Sequence, residues 1–144
     1  MRRVLFLTSL AAACVTPGVE GVRKWDGLDS AMPAYEHVVA RTDEQWRALW
    51  AKVERPAPDA DLGANFGVGV FLGDKRAGDY SFAWRYTTSG GRKAVNVYYT
   101  AYRSDSDRTQ QRRPYAVWLF PRSVAEPDAT VTVIDETPGG APAL

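Results

Sequence analysis

One histidine and one cysteine are the only residues of their kinds in the 144-residue chain, and that scarcity limits the chemistry open to it. A Cys/His zinc cage takes four such ligands and a disulfide framework takes paired cysteines, so neither can be built within one chain. His37 alternates with Val39 in an extended run and is the one side chain whose ordinary pKa lies near neutrality. A hydrolase would have to be assembled from it and from scattered Asp and Ser residues. Ser104 and Ser106 have no base close by in the sequence. Asp59 and Asp61 could hold a cation or work as acid and base, and a Pro- and Asp-rich turn accounts for them without chemistry. The residues therefore predict no enzyme, no metal and no cofactor.

Two polar stretches are better material for binding than for catalysis. The first is Leu72 to Phe82 (LGDKRAGDYSF), a strand running into a glycine-bounded loop and back into an aromatic strand, with Gly73, Asp74, Lys75, Arg76, Gly78, Asp79 and Tyr80 as candidate contact residues. The second is Arg103 to Arg113 (RSDSDRTQQRR), where Arg103, Arg108, Arg112 and Arg113 stand beside Asp105 and Asp107 between Tyr102 and Tyr115. It is longer than a hairpin needs, and it reads either as a self-compensating solvated loop or as a protein contact surface built on Arg108, Arg112 and Arg113.

The elements that must position these loops follow from periodicity. Thr42-Asp43-Glu44-Gln45 sets a capping Thr three residues before Gln, and Trp46, Leu49, Trp50 and Val53 then fall on one face of a helix that Arg55-Pro56-Ala57-Pro58 ends. Strands are expected at 36–41, 67–72, 80–87, 93–102, 115–120 and 130–135, rich in Val, Tyr, Trp and Thr. Tyr80, Phe82, Trp84 and Tyr86 share one side of their strand, whereas the runs at 93–102 and 115–120 are apolar on both sides. Short turns between strands favour an antiparallel meander. The expectation is an α+β fold: a single helix packed on a mostly antiparallel, curled five- to six-stranded sheet. Curling would enclose an apolar pocket near Tyr98, Tyr102 and Trp118, which makes a small-ligand-binding lipoprotein an alternative function.

The chain's address is written at its start. Met1-Arg2-Arg3 is a cationic n-region and Val4 to Leu10 an apolar run too short to span a bilayer of about 30 Å. Ala11-Ala12-Ala13 supplies small residues for cleavage before Cys14, as in a lipobox, with Ala11 where such signals favour Leu. This organisation implies a signal peptide at 1–13, lipidation at Cys14 or simple secretion, a flexible tether at 14–33, a folded domain at 34–136 and a frayed tail at 137–144. Trp25 is the one large aromatic of the tether and is expected to dock on the domain. Lys+Arg 18 against Asp+Glu 17 gives no field for nucleic acid, and membrane attachment is expected only through lipid.

Together with the helix DEQWRALW, Asp61, and Arg113-Pro114-Tyr115-Ala116-Val117, the stretch from Leu72 to Phe82 resembles the C-terminal domain of PrcB-type protease-complex subunits, exported bacterial proteins, over roughly residues 38–122. That family reads Gly-x-Lys-Pro-Thr-Gly-Gly-Tyr in the loop. Gly73, Lys75, Gly78 and Tyr80 match, while Arg76, Ala77 and Asp79 depart and remove the stiffening Pro and a permissive Gly. The resemblance implies a noncatalytic component of the cell envelope that associates with an exported protease. The loop is also similar to those of chagasin-like protease inhibitors, which insert such loops into an active-site cleft; a plain hairpin is its structural alternative.

Overall fold

The computed structural model describes residues 21–76, 79–102, 111–125 and 130–137. The proposed signal, Cys14, Ala77, Gly78, residues 103–110 with Arg103, Ser104, Asp105, Ser106, Asp107 and Arg108, and the tail from 138 lie outside the described residues. Elements run in the order Arg23–Gly27 (β1), Glu36–Ala40 (β2), Asp43–Ala51 (α1), Asn65–Phe71 (β3), Lys75–Arg76 (β4), Asp79–Ser89 (β5), Arg92–Tyr102 (β6), Gln111–Arg112 (β7), Tyr115–Pro121 (β8) and Val131–Asp135 (β9). The fold is α+β, mostly antiparallel sheet with one helix among the described residues.

The helix forms as its sequence requires. Thr42 has extended backbone and its Oγ1 accepts from Gln45 N at 3.2 Å, while Gln45 Oε1 accepts from Arg41 N at 2.8 Å. Trp46, Leu49, Trp50 and the following Val53 are all buried. At about 1.5 to 3 kcal/mol for each large apolar side chain, that face dominates the docking of the helix. Glu54 takes a positive φ of 56° just beyond the helix and turns the chain out. The next residue, Arg55, donates to the buried Tyr115 hydroxyl at 2.8 Å and to Asp29 at 2.9 Å.

The sheet differs from the expectation of one curled sheet. There are two open main sheets, one ordered β1-β8-β3-β2 and one ordered β5-β6-β9, plus the two-stranded ribbon β4-β7. Tyr115, Val117 and Leu119 of β8 pack with α1, while Ala116, Trp118 and Phe120 pack against Phe82, Val95 and Val97 of the second sheet. The four-stranded sheet is thus the middle of three layers. Both faces of β8 are apolar because both are covered, and no curling is needed to hide either. On β3, the side facing α1 carries Gly67 and Gly69, which lets Trp46 and Leu49 lie close against the strand backbone.

The meander holds only for β5 and β6, joined through Gly90 and Gly91, both at positive φ, as in the tight turn that matches strand twist. β3 pairs with the distant β8, and β9 adds parallel to β6. Non-local pairing arises because the chain leaves the four-stranded sheet after β3, builds the β5–β6 hairpin in the second sheet, and returns with β8 before β9 joins β6.

The supposed tether at 14–33 is also revised. From Arg23 it forms β1 on the edge of β8, and Trp25 packs at 5.9 Å from Trp46 and 5.3 Å from Trp50. Residues 28–31 then bind elsewhere: Arg113 N donates to Leu28 O at 2.8 Å, Ser30 N to Arg113 O at 3.0 Å, and Ala31 N to Lys52 O at 2.8 Å. The folded unit therefore begins well before residue 34. It also extends through Thr137, whose Oγ1 accepts from Ala101 N at 3.1 Å.

Candidate functional site

The two polar stretches chosen from the sequence meet. Lys75 pairs with Arg112 and Arg76 with Gln111, so β4 and β7 join the start of one stretch to the end of the other. The segment at 72–79 is therefore no hairpin: it crosses from β3 in one sheet to β5 in the other and is held on the way by β7. Gly73 makes the turn possible. Its φ is 79°, and a Cβ there would stand 2.9 Å from the backbone of Pro33, Ala34 and Tyr35. Asp74 N donates to Pro33 O at 2.9 Å, and Asp74 Oδ1 accepts from Arg113 Nε at 2.7 Å.

Gly78 and Arg108 lie outside the described residues, and the other candidates have a place. Arg113 is a scaffold: besides Asp74 it donates through its guanidinium to Ala31 O at 3.3 Å, and its backbone ties residues 28–30. Asp74 is exposed and Lys75 half-buried; Asp79 is exposed opposite Tyr102, and Tyr80 is half-buried against the inter-sheet core. Two of the three large hydrophobic residues exposed among the described ones, Tyr35 and Tyr102, at 50% and 52%, flank this end. Tyr35 adjoins Gly73, and its hydroxyl lies 3.5 Å from Nδ1 of the exposed His37.

A tyrosine and carboxylate group behind the ribbon was not foreseen. Tyr99 is pushed up to about 12, first by burial, then by the charge and hydrogen bond of Asp135, with Tyr35 and Tyr80 adding to the shift. Burial also raises Tyr35 and Tyr80 above the ordinary value. Burial acts to raise Asp135 as well, but hydrogen bonds from Thr137 and Tyr99 and the charge of Lys75 outweigh it and hold the carboxyl below its ordinary range. Thr137 N donates to Asp135 Oδ1 at 2.8 Å. The only signal of this group in sequence is Tyr99 on the inward side of β6, because its members come from β2's approach, β5, β6 and β9.

These shifts predict a pH dependence. Asp135 stabilises the fold above its ordinary pKa of 3.8, and that contribution is lost as acid protonates it. Tyr99 contributes below pH 10.0 and loses its contribution as pH rises toward about 12. Asp135→Asn should therefore flatten the acid limb of a melting-temperature profile and bring forward the last tyrosine ionisation followed by near-ultraviolet absorbance. An unchanged alkaline titration would sink the Tyr99–Asp135 link.

Other candidates resolve into structure. Asp61 Oδ1 accepts from Gly63 N at 2.9 Å and Ala64 N at 3.3 Å, a turn of its own, while Asp59 gives its carbonyl to Arg23. Trp118 faces the inter-sheet core, whereas Tyr98 is on the outer face of β6, as is Tyr102 opposite Asp79. The three aromatics share no pocket, and the space behind Trp118 is filled by Phe82, Trp84 and Phe120. Among the described residues no group of three His, Cys, Asp or Glu could hold a metal ion, and no helix is long and apolar enough to cross a membrane.

No family model, curated protein or solved structure matches the chain. The candidate site is the ribbon, the exposed Tyr35 and Tyr102 beside it, and the half-buried Tyr99 bonded to Asp135 behind it.

Proposed function

We propose that this chain is a noncatalytic, exported protein-binding domain whose partner docks on the ribbon end of the sandwich, and that the partner is a protease of the same compartment, as the resemblance to PrcB-type subunits implies. One observation carries the docking surface: the two stretches selected separately in sequence are joined by β4 and β7 into one surface bordered by Tyr35 and Tyr102. Tyrosines with both apolar and hydrogen-bonding surface are favoured at protein interfaces, and a preorganised loop loses little entropy on docking. Arg113, Asp74 and Gly73 supply that preorganisation; Lys75, Asp79, Tyr35 and Tyr102 supply contact.

The test is mild crosslinking of the mature chain in a native envelope preparation, with attached proteins identified by mass. Tyr35→Ala with Lys75→Glu should reduce recovery of a protease roughly tenfold, since a central aromatic contact commonly contributes 1–2 kcal/mol or more. A protease recovered equally with the variant, or no partner with the wild type, would remove this reading.

A further inference from the structure

β5 is the longest strand with an open side. It pairs with β6 over its whole length and with no other strand among the described residues. Which backbone groups face the open side follows from two observations. Lys24 Nζ donates to Phe82 O at 2.6 Å from across the sheets, so that carbonyl points away from β6. The two-glycine turn makes Ser89 and Arg92 a directly opposed, hydrogen-bonded pair, which puts odd-numbered residues of β5 in the ladder and even-numbered ones outward. Trp84, Tyr86 and Thr88 therefore present N–H and C=O groups along the edge. Among the described residues only Lys24 bonds that side, at Phe82. From Phe82 to Thr88 the edge is about 20 Å long, room for a short partner strand.

The charge around the edge selects its occupant. The β5–β6 hairpin holds Arg85, Arg92 and Lys93; its one acidic residue, Asp79, stands at the end away from Trp84 to Thr88, and Asp26 pairs with Lys24 at 3.4 Å beside Phe82. Arg85 lies over Tyr98 at 5.2 Å on the outer face, and Lys93 over the 44% exposed Tyr86 at 5.8 Å on the inner one. A second copy would bring the same cations against themselves, and a Lys held over the edge carbonyl is a usual guard against self-pairing. An acidic strand meets cations on both faces and an aromatic side chain on one. We propose that the free edge of β5 from Trp84 to Thr88 binds an extended acidic segment of a partner protein by strand addition. This surface is separate from the ribbon end and stands independently of it.

The test uses the full chain and a short capped peptide of alternating Glu and Val, with a Lys and Val counterpart, read by residue-resolved amide exchange. The Glu peptide should slow exchange at Trp84, Tyr86 and Thr88 at least tenfold and leave Arg85 and Thr87, already bonded to β6, unchanged. The Lys peptide should not. Arg85→Glu should reverse the preference, and Tyr86→Pro, which deletes an outward N–H and spares the β5–β6 ladder, should abolish the protection at Trp84 and Thr88. Tyr35→Ala should leave all of this intact, which separates a failure here from a failure at the ribbon. Equal protection by both peptides, protection by neither, or edge amides already slow in the free chain through a second copy or its own flanking segment would each overturn the proposal.

Discussion

Trp118→Ala should cost about 3–5 kcal/mol of stability, whereas Trp118→Phe should cost about 1 kcal/mol or less. Trp118 is fully buried on the face of β8 that meets the second sheet. Its ring lies edge-on to Phe82 at 6.3 Å and stacked with Phe120 at 6.4 Å, and Val68 is its partner across the β3–β8 pair. Removing the indole leaves a cavity where two rigid sheets meet, which cannot collapse without moving both. A total stability of about 5–15 kcal/mol would lose a large part of itself. Phenylalanine behaves differently because Nε1 of Trp118 is buried and has no hydrogen-bond partner among the described residues. An unsatisfied buried donor costs about 1–3 kcal/mol, so deleting it offsets much of the smaller cavity that Phe leaves. Urea denaturation midpoints for the three proteins decide the matter. A Phe variant as weak as the Ala variant would mean that the indole N–H is satisfied in the folded protein and that the central layer is held by a bond rather than by packing alone.

The same residue shows how far the sequence could be read. Trp118 and Phe120 opposing Val117 and Leu119 announced a strand apolar on both sides, and that much is structural fact. Alternation along one strand cannot say what covers each side, so a curled sheet and a covered middle layer look alike; the second sheet decides it, and its packing is non-local. The helix and β5 were legible from apolar residues at a fixed period, and the other five expected strands from short runs rich in Val, Tyr, Trp and Thr. β1 was not, because Trp25 is the only large apolar residue in Arg23–Gly27, and its charged neighbours suit an exposed edge. The ribbon was not, because two-residue strands have no period and their pairing spans 36 residues or so of sequence. Glycine and charge marked both polar stretches as surface loops without saying that they touch. Tyr35, Tyr99 and Asp135 left less trace still, since their grouping exists only once two sheets have stacked.

The ribbon's dependence on one backbone conformation gives the other large expected effect. Gly73→Ala should destabilise the protein by about 2–4 kcal/mol, combining the penalty of roughly 1–2 kcal/mol for a side chain in the left-handed region with a comparable overpacking cost. The clash is with backbone: the new Cβ would stand 2.9 Å from Pro33 O, Ala34 C and Tyr35 N, atoms that cannot give way by changing rotamer. Moving them would break the Asp74 N to Pro33 O bond and draw Asp74 from Arg113, which also fastens residues 28–31. The loss should therefore spread through the ribbon and appear as faster amide exchange at Lys75 and Arg112 before the sheets open. Gly90→Ala separates the two terms, because Gly90 also has a positive φ of 59° yet nothing lies within 4 Å of a Cβ there. That variant should lose only the conformational part, partly offset by the restricted unfolded chain. If both variants shift the denaturation midpoint equally, the close approach of residues 33–35 is not what holds the ribbon, and preorganisation of the docking surface through Gly73 fails with it.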